Sequence, residues 1–135
     1  MVSRKALTLI ELLVVIIIVG ILAAVSIPIM KGRIDSAKWS EGRAMMGIIA
    51  RSLRTHIAEN GSNYTPVPTL DQLGFESGDL DGNYFTGGES GTKDFSWVIN
   101  NHDPIDFLVT ATAPAGIDSP SKVTLNHAGT FTEIQ

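Results

Sequence analysis

From Leu7 to Met30 the chain reads LTLIELLVVIIIVGILAAVSIPIM, an apolar run whose only charge is Glu11. No other feature restricts the fold as strongly. About 24 residues at about 1.5 Å each make about 36 Å of helix, enough to cross a bilayer core of about 30 Å. The abundance of Ile and Val suits a buried strand, but the run is far too long for one, so it reads as a helix. Arg4 and Lys5 precede it, and the positive-inside rule then keeps the N-terminus cytoplasmic.

Two ordinary explanations compete. A secretory signal peptide fits the basic start, and Ala24-Val25-Ser26 is a loose cleavage-site match. The run nevertheless exceeds the usual h-region of about 7–15 residues. A plain membrane anchor explains length and orientation but not Glu11. A lone acid in a spanning segment normally faces a partner inside an assembly.

Arg4-Lys5-Ala6 followed by Leu7-Thr8-Leu9-Ile10-Glu11-Leu12-Leu13 resembles the N-terminal signature of type IV pilins and type II secretion pseudopilins. Gly20 and Pro28 also stand where that family usually has a glycine and a proline. The resemblance covers residues 4–30 and weakens toward residue 60. It implies a leader peptide (1–6) removed by a prepilin peptidase between Ala6 and Leu7, with N-methylation of Leu7. It implies a membrane and filament-core helix over 7–30, its amphipathic continuation over 31–60, and a globular head over 61–135. The leader departs from the common pattern in ending with Ala6 rather than glycine, and the mature chain in starting with Leu7 rather than phenylalanine.

A buried carboxylate is costly unless paired. Leader removal would create an α-amine on Leu7, and axially staggered subunits could bring it to Glu11 of a neighbour. The alternative is that Glu11 snorkels or is protonated. Gly20 and Pro28 weaken the helix locally. The resemblance implies melting between them in a filament; a fixed kink is the other reading.

The net charge of −4 is unevenly spread, since residues 31–59 carry six basic residues against three acids and residues 60–135 two lysines against ten acids. Lys31 to Glu59 continues helical and should stop at Asn60-Gly61. Ile34, Ala37, Ala44, Met45 and Ile48 form one arc, interrupted by Glu41, expected to pack on the sheet of the chain's own tail. Ile49, Leu53 and Ile57 drift around the helix, and Gly32, Gly42 and Gly47 lower its rigidity. The cations Lys31, Arg33, Lys38, Arg43, Arg51 and Arg54 read either as a solvated face with local acid partners or as pairing with the acidic tails of neighbours. They lack the aromatic clustering of a nucleic-acid surface.

In the tail, Thr69-Leu70-Asp71-Gln72 fits a capping box opening a short helix closed by Gly74. Phe75 to Lys93 reads as a surface loop. Strands are predicted at Phe95–Ile99, Asp106–Ala113, Lys122–Asn126 and Thr130–Ile134, the last two joined by His127-Ala128-Gly129. The fold class is α+β, with one long helix packed through its C-terminal half on a small antiparallel sheet.

Candidate chemistry is thin. Asp79, Asp81 and Asn83 resemble the start of a calcium loop, but glycine comes fourth and the twelfth position is Ser90, so the EF-hand pattern fails. His56, His102 and His127 have no metal-ligand spacing, no catalytic constellation stands out, and no cofactor is expected. The reading is therefore a non-enzymatic structural subunit of a type IV filament. It would be held in the inner membrane as a precursor, act with a prepilin peptidase and an assembly platform, and polymerise with copies of itself. The filament would be a surface pilus for adhesion, motility or DNA uptake, or alternatively a periplasmic pseudopilus of type II secretion. The chain has no cysteine, so it lacks the disulfide that many surface pilins use to close a C-terminal loop.

Overall fold

A computed structural model describes residues 8–88 and 92–135. The chain divides into two compact units, one ending at Ile34 and one comprising Asp35–Gln135. Helix α1 (Leu9–Asn60) is followed by 3-10 turns at Gly61–Asn63 and Asp71–Leu73 and by four strands: β1 (Phe95–His102), β2 (Ile105–Thr112), β3 (Lys122–Asn126) and β4 (Phe131–Ile134). The strands form one antiparallel meander in the order β1-β2-β3-β4. The α+β expectation holds. β1 runs three residues beyond its predicted end, because a register irregularity between Ile99 and Asn101 carries the pairing on to His102.

In the second unit, the strand pleat sorts side chains by face. Phe95, Trp97, Ile99, Phe107, Val109, Ala111, Val123 and Leu125 are buried. Register aligns Trp97 with Val109, Val109 with Leu125, and Leu125 with Phe131. The opposite face carries a hydroxyl row in which Ser96 pairs with Thr110, Thr110 with Thr124, and Thr124 with Thr132.

The helix meets this core with a different arc from the one predicted. Trp39, Gly42, Met46, Ile49, Leu53, His56 and Ile57 are buried, whereas Ile34 and Ile48 are 44% and 52% exposed and Ala37 and Ala44 are exposed. Of the predicted arc only Met45 is partly packed on the core. The two arcs share a period, and periodicity locates stripes without saying which one meets the sheet. Trp39 and Met46 carry more area than the alanines, so the arc that holds them removes more apolar surface from water.

Two polar devices complete this packing. The indole N–H of Trp39 donates to the Pro120 carbonyl at 3.1 Å, and that of Trp97 to the Pro68 carbonyl at 2.8 Å. Each buried ring is thereby satisfied. Arg43 pairs with Glu133 and lies over the Phe131 ring, while Arg54 lies 5.2 Å from the Phe107 ring centroid and donates to the His127 carbonyl at 3.0 Å.

The predicted surface loop from Phe75 to Lys93 is partly core, since Leu80 is 2% exposed and Phe85 is fully buried. Phe85 packs beside Trp39 (ring centroids 4.9 Å apart) and Phe95 (5.9 Å). Gly42 makes room for it, because a Cβ there would stand 2.8 Å from Phe85 Cζ. The predicted capping box forms, with Thr69 N donating to Gln72 Oε1 at 2.9 Å, but it opens a 3-10 turn closed by left-handed Gly74 at φ 78°.

Gly42 and Gly47, the helix glycines of the second unit, should respond in opposite directions. Gly42→Val should destabilise the fold by about 1–3 kcal/mol through overpacking. Gly47→Ala, in open space, should stabilise it by up to about 1 kcal/mol. Denaturant midpoints of the detergent-solubilised chain check both.

Candidate functional site

Every residue from Thr8 to Ile34 is exposed. The apolar segment contains no break. α1 is helical through Gly20 and Pro28, and a Cβ at Gly20 would have nothing within 4 Å. Pro28 cannot donate a backbone hydrogen bond. Two residues earlier, the Ser26 hydroxyl donates to the Leu22 carbonyl at 2.8 Å, a side-chain bond within the helix's own turn. This span is long and apolar enough to cross a membrane.

Glu11 lies in the first turn, and its surroundings reveal a role missed in the sequence. Thr8 N and Thr8 Oγ1 donate to Glu11 Oε2 at 2.7 and 2.8 Å, and Glu11 N donates to Thr8 Oγ1 at 3.3 Å. This is a reciprocal capping box, satisfying backbone N–H groups that a helix start leaves unpaired. The signal is Thr8-x-x-Glu11 ahead of an apolar run. The cap holds the carboxylate at the very start of the helix. Ala6 and Leu7, the predicted cleavage residues, lie outside the described residues.

The acidic residues of the second unit act as anchors for loop backbone. Glu41 Oε1 accepts from Tyr84 N and Phe85 N at 2.8 and 2.9 Å. Burial pushes the Glu41 carboxyl up, but the N–H groups of Phe85, Tyr84 and Asn83 outweigh it and hold the group below its ordinary 4.5. The residue that interrupts the predicted apolar arc is thus the one that clasps the Phe85 loop. Buried Asp35 accepts from Asp118 N at 3.1 Å, and Asp94 from Thr86 N at 2.8 Å.

The calcium candidates are held the same way. Asp79 accepts from Glu76 N at 2.8 Å. Asp81 accepts from the Thr86 hydroxyl and from Gly88 N, which lowers its carboxyl from the ordinary 3.8, with the Thr86 bond the larger cause. Asn83 sits at the Glu41 clasp. Among the described residues no group of three or more His, Asp or Glu side chains could hold a metal.

The three histidines have different partners. His56 is buried, with Nδ1 3.3 Å from the Asn60 amide nitrogen. The His102 ring is 5.7 Å from that of Tyr64. His127 Nδ1 lies 2.9 Å from Asp106 Oδ1; the Asn100 amide first and His127 second hold the Asp106 carboxyl below its usual value.

Residues 1–27 match the family model of the prokaryotic N-terminal methylation motif. That motif is the leader and helix start of type IV pilins and pseudopilins, and the chain is similar to them over this segment. The match covers 27 of 135 residues. Neither the curated proteins nor the solved structures compared with the chain show a match. An apolar N-terminal helix with this leader fits a membrane-anchored precursor.

Two substitutions probe these carboxylate contacts. Thr8→Ala should raise amide exchange at the start of α1 about fivefold, as expected for a cap worth about 1 kcal/mol. Because the Glu41 carboxyl is depressed when folded, its contribution is complete above pH 4.5 and is lost as pH falls through the folded value. Glu41→Gln should therefore lower stability at neutral pH and flatten its fall between neutral and acid pH, read from unfolding midpoints across that range.

Proposed function

We propose that the chain is a structural subunit of a type IV filament. A prepilin peptidase cuts between Ala6 and Leu7 and methylates the new amine, and residues 7–30 hold the precursor in the inner membrane. Subunits then leave the bilayer and pack through their helices, with residues 61–135 as the outward head. The observation that carries this reading is the methylation motif over residues 1–27, joined to an exposed apolar helical segment, Leu9 to Met30, whose one carboxylate is Glu11. Transfer from lipid into a helical bundle gains packing rather than hydrophobic burial. Registry therefore has to come from specific contacts. The Leu7 amine of one copy meeting Glu11 of the next supplies one, and close approach at Gly20 a second. Pro28 loosens the turn before it and lets the segment adjust.

A second feature supports assembly. The outward arc of α1 in the second unit displays Ala37, Ala44, Gly47 and Ile48, mostly small side chains that allow close helix packing. The absence of cysteine counts against the disulfide-closed heads of many surface pilins, and the failed calcium pattern counts against a major pseudopilin. We favour the pilus, with a pseudopilus in type II secretion as the second reading.

Mass spectrometry of the mature chain should find N-methylated Leu7 as the first residue. A mature N-terminus near Ile27 would instead mean signal-peptidase processing and would overturn this reading. Glu11→Val should reduce filament yield at least tenfold while the membrane-bound level of subunit stays unchanged. Electron microscopy of cell surfaces separates pilus from pseudopilus.

A further inference from the structure

We propose that Lys31 and Arg33 form a cationic collar for anionic phospholipid headgroups on the far side of the membrane, setting the depth of α1 before assembly. This rests on the membrane-spanning reading above, and three observations carry it.

The first is position. The helix from Leu9 to Met30 has about 22 residues, or about 33 Å, against a bilayer core of about 30 Å. Lys31 is therefore the first residue beyond the hydrocarbon. The second is arrangement. Two positions along a helix turn about 200°, so Lys31 and Arg33 stand on opposite faces. A protein docking on one face of the helix would reach only one of them. A headgroup layer surrounds a crossing helix and reaches both. The third is availability. Both residues are exposed, and neither has a hydrogen bond or ion pair within the chain among the described residues. Asp35, the nearest acid in sequence, is buried and accepts from Asp118 N. Of the other helix cations, Lys38, Arg43 and Arg54 are engaged with Gly116, Glu133 and His127.

The long stems of Lys and Arg allow the heads to reach phosphate while the helix stays in hydrocarbon. An anionic surface favours each such cation by about fivefold. The collar therefore opposes sinking of the apolar helix on one side and withdrawal on the other. A subunit entering a filament has to leave these phosphates behind.

The chain contains no cysteine, so Ile34→Cys supplies a single thiol just past the collar. The full chain carrying it is reconstituted into phosphatidylcholine vesicles, with or without phosphatidylglycerol, and labelled with an uncharged maleimide. The same is done with Lys31→Gln/Arg33→Gln added, which reports the effect of surface potential on the thiol alone. Phosphatidylglycerol should slow labelling about 25-fold more in the parent than in the glutamine pair, about fivefold for each cation. Inorganic phosphate added to neutral vesicles should not reproduce the effect. Equal slowing in both proteins, or the same slowing by free phosphate, overturns the collar. A separate Val19→Cys chain reads insertion itself. Rapid labelling of that thiol would overturn the spanning reading and the collar with it. Protection of that thiol, with equal slowing in the two Ile34→Cys proteins, overturns the collar alone.

Discussion

One helix face governs the second unit. Trp39, Met46, Ile49 and Leu53 are fully buried, and among the described residues no second long helix or sheet shares that core. The apolar face of the sheet and the apolar stripe of the helix each have to be buried against another element, so sheet and helix depend on each other. Phe85 extends this dependence to the long loop before β1, because its ring fills the notch that Gly42 leaves in the helix. The residues before Asp35 take no part in that burial. Their apolar side chains are exposed throughout the described span, and such a surface is stable only in lipid or among other chains.

A small domain without disulfides needs other restraints on its loops. Here carboxylates provide them. Glu41, Asp81 and Asp94 accept backbone N–H groups of the loop ahead of β1, and Asp35 reaches the segment before β3. Hydrogen bonds to ionised groups are stronger than neutral ones. The acidity of the tail is thus partly internal scaffolding, not a field reserved for partners. It also links the integrity of the head to pH, since the depressed carboxyls of Glu41 and Asp81 lose these bonds on protonation.

Much of this is legible in the sequence because it rests on local rules. The long helix, its end near Asn60, the Thr69–Gln72 box and the antiparallel meander follow from periodicity, turn residues and strand spacing. Local rules stop where distant segments meet. Periodicity is satisfied by the arc of Ile34, Ala37, Ala44, Met45 and Ile48 as well as by the neighbouring arc through Trp39 and Met46, and it is the second that meets the sheet. Phe75 to Lys93 has the glycines and aspartates of a solvated loop, yet Leu80 and Phe85 are inside. Glu41 interrupts an apolar stripe in the sequence and is a clasp in the fold. Each depends on which distant segment arrives opposite a given side chain.

The sequence by itself determined that a helix of membrane-spanning length lies between Leu7 and Met30, that it carries one carboxylate at Glu11, and that the basic residues Arg4 and Lys5 precede it. Composition and short-range spacing suffice for these, because the solvent around an apolar helix is decided by its length and polarity alone. Only the tertiary structure decided which face of α1 is core, why Gly42 is a glycine, and which carboxylates are already engaged. Those answers require contacts between residues far apart in the chain, such as Glu41 with Phe85 and Asp35 with Asp118, and no local pattern encodes a partner at that distance.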